Sequence, residues 1–218
     1  MRFSVAREGI PIIASVLIFS VLLLIVYLIT GWGLFNWLWW IGIILAAFSV
    51  YFFRDPARDV PGDPAQIVSP ADGTVVLIDK VDDPFAGANA TRISIFLTVF
   101  NVHINRVPCS GSVVNSAYKP GRFLAAFDDR TSEENEQTII DIRNSRFDLR
   151  MKQIAGLIAR RIINYLKPGD TVRIGERFGL IRFGSRVDVI FPEAVEVLVQ
   201  RKAKVTGGET ILGVWNEV

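Results

Sequence analysis

No charged residue occurs between Glu8 and Arg54. That stretch holds two apolar runs, Ile10–Ile29 and Leu34–Phe53, parted by Thr30-Gly31-Trp32-Gly33. A helix needs roughly 20 residues to cross the hydrocarbon core of a bilayer, and each run meets that length. Inside lipid the backbone must satisfy its own hydrogen bonds, so the runs are expected to be helices. With so short a break, both outer ends lie on one side of the membrane, whether the hairpin crosses fully or dips in and returns. Arg2 and Arg7 precede the pair and Arg54 and Arg58 follow it, and lysine and arginine concentrate on the cytoplasmic side. The expectation is a membrane-anchoring helical hairpin over residues 1–53, which holds residues 54–218 at the cytoplasmic face of the inner membrane. Trp32, Trp37, Trp39 and Trp40 cluster near the break, where indoles suit an interface. A secretory signal fits poorly, because a second apolar run follows and no small-residue cleavage site appears. The competing arrangement is a helical hairpin in the core of a soluble fold.

Past the Pro-rich connector Arg54–Asp63 the character changes to short β-branched runs broken by Gly, Pro and Asp. Nine runs read as strands: Thr74–Val81, Ile93–Val99, Ser112–Tyr118, Thr138–Arg143, Phe147–Ile154, Thr171–Ile174, Gly179–Phe183, Val187–Phe191 and Glu196–Val199. Apolar spacing at Leu157, Ile158, Ile162 and Tyr165 predicts one short helix over Ala155–Leu166. Asp128–Gln137 reads as a polar loop. The segments Val68–Val76 and Lys167–Gly179 each lead from turn residues into a β run, like the hairpins of biotinyl and lipoyl sandwiches. The fold class expected for 54–218 is therefore mainly β (α+β), a compact sandwich or barrel with lipoyl-like hairpins.

Composition narrows the chemistry. The 24 Lys and Arg against 22 Asp and Glu leave a net charge of +2, so no nucleic-acid partner is indicated. The single cysteine, Cys109, excludes an internal disulfide and any CxxC site, and reads as a small buried apolar residue. One histidine, His103, leaves little scope for a metal centre, and no metal is expected.

Gly184 and Ser185 sit between the apolar run Leu180–Phe183 and the alternating run Val187–Phe191. A Gly-Ser pair at a strand edge sets a hydroxyl beside the least hindered peptide carbonyl a chain can offer. That arrangement suits a serine that attacks its own backbone, and a simple turn is the alternative. Asp72, in Ser-Pro-Ala-Asp-Gly, and His103, in Asn-Val-His-Ile-Asn-Arg-Val-Pro, supply an acid and an imidazole. In a relay of the three, Asp72 orients His103 and His103 takes the proton of Ser185. Each also has an ordinary structural reading, as a turn or strand-end residue.

Several motifs occur together and in order: Phe53-Arg-Asp-Pro56, Val68-Ser-Pro-Ala-Asp-Gly73, Asn101-Val-His-Ile-Asn-Arg-Val-Pro108, Asn135-Glu136, Gln153-Ile-Ala-Gly156 and Phe183-Gly-Ser185. On these the sequence resembles the phosphatidylserine decarboxylase family in its short prokaryotic form, from about Tyr51 to the end. The resemblance implies a proenzyme that cleaves itself between Gly184 and Ser185, giving a large chain 1–184 and a small chain 185–218 that stay associated. It implies a pyruvoyl group made from Ser185, an electron sink that makes a separate cofactor unnecessary. The substrate implied is phosphatidylserine in the membrane, converted to phosphatidylethanolamine and CO2. Longer members carry two histidines three residues apart; here His103 matches the first and Arg106 stands at the second. His103 is therefore expected to serve both maturation and turnover, with Asp72 as its partner. Arg186, Asn135 and Glu136 are candidate headgroup or pocket contacts, and a homo-oligomer is compatible with the pattern.

Two other readings stay open. A membrane-anchored serine hydrolase would use the same Ser185, His103 and Asp72 in an intact chain, although no G-x-S-x-G elbow is present. A non-enzymatic lipoyl-like membrane adaptor would need none of the three.

Overall fold

The computed structural model describes residues 4–124, 131–157, 161–182 and 184–216. The chain divides into two compact units, Met1–Ala57 and Arg58–Val218. The first is built on α1 (Ile10–Thr30) and α2 (Gly33–Phe52). Both helices are long and apolar enough to cross a membrane, and most of their side chains face outward. Gly31 ends α1 in the left-handed conformation, with φ +69° and its N–H on the Tyr27 carbonyl, the usual glycine stop. The helices meet along small residues. Ser20 is fully buried against Gly42, where an added Cβ would come within 2.2 Å of the Ser20 hydroxyl.

The second unit is mainly β. Its strands are β1 (Gln66–Val68), β2 (Gly73–Asp83), β3 (Gly87–Leu97), β4 (Ile104–Arg106), β5 (Gly111–Lys119), β6 (Gln137–Arg143) and β7 (Asp148–Ala155). There follow β8 (Ile162–Asn164), β9 (Thr171–Val172), β10 (Arg177–Ile181), β11 (Ser185–Phe191), β12 (Val195–Val197), β13 (Lys204–Val205) and β14 (Ile211–Trp215). A four-residue helix, α3 (Thr131–Glu134), precedes β6. Eight strands make the large sheet in the order β13-β2-β3-β11-β7-β6-β5-β9. Two three-stranded sheets, β1-β14-β12 and β4-β10-β8, complete the unit.

Alternation along β11 explains how the large sheet is dressed. Val187, Val189 and Phe191 join Ile93, Ile95 and Leu97 of β3, Leu149 and Met151 of β7, and Ile140 and Ile142 of β6 in one buried cluster. Each such side chain contributes roughly 1.5–3 kcal/mol when fully buried. The intervening residues point to the other face. That face carries ion pairs: Arg92 with Asp79, Arg150 with Asp141 at 2.7 Å and Asp83 at 3.0 Å, and Arg186 with Asp188 at 2.6 Å. Burial lowers the pKa of Lys152 on the same face, against the opposing pull of Asp188 and Asp83.

All seven residues of β11 are buried, and the strand pairs on both edges, with β3 and with β7. The helix expected over Ala155–Leu166 is not found. Ala155 closes β7, and Ile162–Asn164 form β8 against Gly179–Ile181, while residues 158–160 lie outside the described residues. The 3.6-residue spacing there is real, but pairing with a distant strand outweighs it. The close approach of β8 explains Gly179, where an added Cβ would lie 2.1 Å from the Ile163 carbonyl oxygen.

Candidate functional site

Ser185 is the first residue of β11, placed across from Leu97 on one side and Ala155 on the other. Its side chain points to the core face with Val187, and it is fully buried. Among the described residues its Oγ has no hydrogen-bond partner. A buried hydroxyl left unpaired costs about 1–3 kcal/mol, which a purely structural serine would avoid. Gly184 just before it has φ +56°, and among the described residues no atom beyond its chain neighbours lies within 4 Å of where a Cβ would stand. Space is therefore not what requires glycine here. The requirement is the left-handed backbone, which costs other residues roughly 1–2 kcal/mol.

His103 reaches the same corner by topology. β3 ends at Leu97, opposite Ser185, and a turn follows in which the Asn101 side chain accepts from the Thr98 N–H at 2.9 Å and from its hydroxyl at 2.8 Å. His103 comes next and leads into β4, which pairs with β10, the strand that ends at Ile181, shortly before Gly184 in the chain. The ring is buried, with Nδ1 2.9 Å from the Asn101 carbonyl oxygen. A carbonyl only accepts, so Nδ1 donates to it, and in the neutral ring Nε2 then keeps the lone pair, the tautomer a base requires.

Asp72 makes different contacts from those the relay calls for. Its carboxylate accepts from Arg58 Nη2 at 2.8 and 2.9 Å and from the Gly207 N–H at 2.8 Å. The Asn101 carbonyl therefore holds the Nδ1 position assigned to Asp72. Arg106, at the second family histidine, is buried, and its N–H donates to the Pro70 carbonyl at 2.8 Å. Its Nη1 donates to Gly175 O at 3.0 Å, and its Cδ packs so closely on Gly208 that a Cβ there would stand 2.8 Å away. Arg106, Asp72 and Arg58 thus gather around the Ser69–Gly73 turn.

The candidate headgroup contacts are all structurally engaged. Arg186 is fully buried on the face opposite Ser185, donating to Asp188 at 2.6 Å, Ser94 at 2.6 Å and Thr131 at 3.4 Å. Ser132 donates to the second Asp188 oxygen at 2.6 Å, so α3 closes over the pair. The Asn135 amide donates to the carbonyls of Ala155 at 2.7 Å and Leu124 at 3.0 Å, and its oxygen accepts from the Leu124 N–H at 3.0 Å. The Glu136 carbonyl accepts from the Ala155 N–H at 2.9 Å. Its side chain accepts from Tyr118, whose pKa is raised by desolvation and by that carboxylate. Both residues therefore brace Ala155, directly across from Ser185.

Sequence reasoning gave no site role to Arg58, Asn105 or Gln153. Arg58 was read only as a charge flanking the apolar pair, and the other two lay inside quoted motifs without being singled out. Both are fully buried here, with Gln153 Nε2 donating to Asn105 Oδ1 at 2.8 Å. Among the described residues no group of three or more His, Cys, Asp or Glu is placed to hold a metal ion.

Comparison with known proteins points the same way as this corner. A family model described as phosphatidylserine decarboxylase matches residues 45–213. A phosphatidylserine decarboxylase proenzyme of Chlorobium chlorochromatii is 50% identical over 177 residues, covering 81% of this chain and 84% of its own. Proteins of the same description from Desulfotalea psychrophila and Cupriavidus pinatubonensis are 44% and 42% identical over 96% and 98% of this chain, and over 95% and 96% of their own lengths. With matches that run through Gly184 and Ser185 and nearly end to end, the chain belongs to the phosphatidylserine decarboxylase family.

Proposed function

We propose that the chain is a self-cleaving proenzyme whose mature form converts phosphatidylserine to phosphatidylethanolamine and CO2. The observation that carries it is Ser185: a buried hydroxyl without a partner among the described residues, directly after a left-handed glycine. His103 Nε2 takes the hydroxyl proton as Oγ attacks the Gly184 carbonyl. The C–N bond breaks, the proton returns to the amine, and amide becomes ester. Loss of the Ser185 Cα proton with cleavage of Cβ–Oγ releases residues 1–184 as a carboxylate and leaves dehydroalanine at 185. Water then replaces its nitrogen, giving ammonia and a pyruvoyl group. The left-handed Gly184 leaves the peptide approachable, and the buried site excludes bulk water from the ester.

The pyruvoyl group supplies an electron sink for the electron pair left when CO2 departs. The residues that would hold it are those now around Ser185: Leu97 and Ala155 across the sheet, the second braced by Asn135 and Glu136. His103 would return the proton. Asp72 enters through Arg58, ordering the Ser69–Gly73 turn beside Arg106. Arg186 fixes the start of β11 from behind through Asp188.

The fold supports a cut chain that stays together. Residues 185–218 contribute β11 at the middle of the large sheet, β13 at its edge, and β12 and β14 of a small sheet. The apolar hairpin, flanked by Arg2, Arg7, Arg54 and Arg58, supports anchorage in the inner membrane with the β unit on the cytoplasmic side. There the acyl chains of the substrate stay in the bilayer while its headgroup enters the site.

The test is CO2 release from carboxyl-labelled phosphatidylserine in detergent micelles. Wild-type protein is expected to release label and form phosphatidylethanolamine, and Ser185→Ala to do neither. Release of fatty acid or free serine by an uncut chain would favour a hydrolase instead.

A further inference from the structure

Asn105 and Gln153 form a polar bridge through an apolar interior. Gln153 lies on β7 opposite Val187, on the same face as Ser185 and one step diagonal to it. Asn105 lies on β4 opposite Gly179, two residues after His103. Gln153 Nε2 donates to Asn105 Oδ1 at 2.8 Å and to the Ile163 carbonyl at 3.3 Å, joining β7 to β4 and β8. The Ile163 carbonyl only accepts, so it fixes the orientation of the Gln153 amide, and Gln153 in turn fixes Asn105.

Both amides are fully buried, and each keeps an unused function. Asn105 Nδ2 and Gln153 Oε1 have no hydrogen-bond partner among the described residues, and neither does Ser185 Oγ. Two side chains that served only to join the sheets would be better satisfied, or replaced by apolar ones. What remains is one donor group and one acceptor, beside the residue that becomes the reactive centre.

A serine headgroup presents the complement, a carboxylate that accepts and an α-amine that donates. We propose that Asn105 and Gln153 bind the amino-acid end of the serine lipid, Asn105 Nδ2–H holding the α-carboxylate and Gln153 Oε1 accepting from the α-amine. The inference rests on the decarboxylase reading and names the residues that select its substrate. A neutral amide suits the carboxylate of a decarboxylation. When the Cα–carboxylate bond breaks, its electron pair stays with the rest of the substrate, a proton later joins Cα, and the carboxyl group leaves as neutral CO2. A cation at that place would hold the charged ground state more firmly than the transition state, and a neutral donor does so less. The product keeps the amine and lacks the carboxylate, so it loses the Asn105 contact and departs more readily.

The test uses full-length protein carrying Asn105→Leu, Asn105→Asp or Gln153→Met. Cleavage at Gly184–Ser185 is read by intact mass, KM and kcat from CO2 release, and product affinity from inhibition by phosphatidylethanolamine. Asn105→Leu is expected to mature and to raise KM for phosphatidylserine by about 10- to 100-fold, the range for a hydrogen bond to a charged group. Inhibition by phosphatidylethanolamine should shift less than about threefold, because the product has no carboxylate to lose. Asn105→Asp sets a carboxylate against a carboxylate, so its kcat/KM should rise as pH falls and the new acid takes a proton. Gln153→Met should weaken substrate and product alike.

Matured Asn105→Leu with KM within about threefold of wild type would overturn the proposal and leave the pair bridging sheets or holding a buried water. Equal shifts for substrate and product in both Asn105 variants would do the same. Failure of all three variants to mature would assign the pair to folding and overturn it as well. Wild-type protein that matures and releases no CO2 contradicts the decarboxylase reading itself, whatever the variants do.

Discussion

Asn135 donates its side-chain amide to the carbonyl of Ala155, the residue directly across from Ser185. The same side chain also exchanges two hydrogen bonds with the Leu124 backbone. Asn135→Ala would remove the side-chain partner of the buried Ala155 carbonyl and of the half-buried Leu124 backbone, at a cost of about 1–3 kcal/mol for each buried group left unsatisfied. The expected outcome is a lower melting temperature and slowed self-cleavage, followed by band densitometry of large and small chains. A variant that matures at the wild-type rate would show that Ala155 needs no brace.

Gly184→Ala separates conformation from crowding. Among the described residues nothing beyond the chain neighbours stands within 4 Å of the added methyl, so space does not oppose it, while φ +56° disfavours it. A penalty of roughly 1–2 kcal/mol predicts a folded protein whose cleavage is slowed about tenfold or more. Cleavage at the wild-type rate would mean that the left-handed backbone plays no part in maturation.

The Asp72 carboxylate and Arg58 guanidinium form a largely buried pair. Asp72→Asn is expected to destabilise the protein by about 1.5–3 kcal/mol, since Arg58 keeps its charge and loses its nearest carboxylate. The double variant Arg58→Met/Asp72→Leu should recover most of that loss, because replacing both partners of a buried pair is often close to neutral. Unchanged thermal stability with abolished cleavage in Asp72→Asn would instead give the carboxylate a direct part in the reaction.

How far the sequence could be read follows from the range of the interactions involved. The two apolar helices and the longer strands, such as Gly73–Asp83 and Ser185–Phe191, carry local signals of length and alternation. The three-residue strands Gln66–Val68, Ile104–Arg106 and Ile162–Asn164 are too short to show a period, and exist because a distant strand pairs with them. At the site, Gly184 and Ser185 were legible as candidates for self-cleavage once the motifs were taken together, since a Gly-Ser pair alone also reads as a turn. The partners were not. Asp72 finds Arg58 and His103 finds the Asn101 carbonyl through turns whose geometry no spacing rule supplies. Arg186 adjoins Ser185 in the chain and lies on the opposite face of the sheet, because adjacent strand residues face opposite ways.

Cys109 is fully buried, and burial pushes its thiol up to about 12 from a usual 9.0. Below pH 9 the thiol is protonated in both folded and unfolded chains and has no effect on stability. Above it the unfolded chain ionises and the folded one does not, so stability falls as pH rises from about 9 to 12, by about 1.4 kcal/mol per pH unit. Chemical denaturation of Cys109→Ala beside wild type checks this: the alkaline slope should be shallower in the variant. Equal slopes would show that the thiol ionises as readily in the fold as outside it.

The most direct measurement is intact mass of the purified protein beside Ser185→Ala, with and without a carbonyl-reactive probe. The account predicts two wild-type chains, 1–184 and 185–218, with the small one shifted by the probe at its first residue, and a single unreactive mass for Ser185→Ala. One uncut mass in a wild-type sample that still decarboxylates phosphatidylserine would contradict the self-cleavage account.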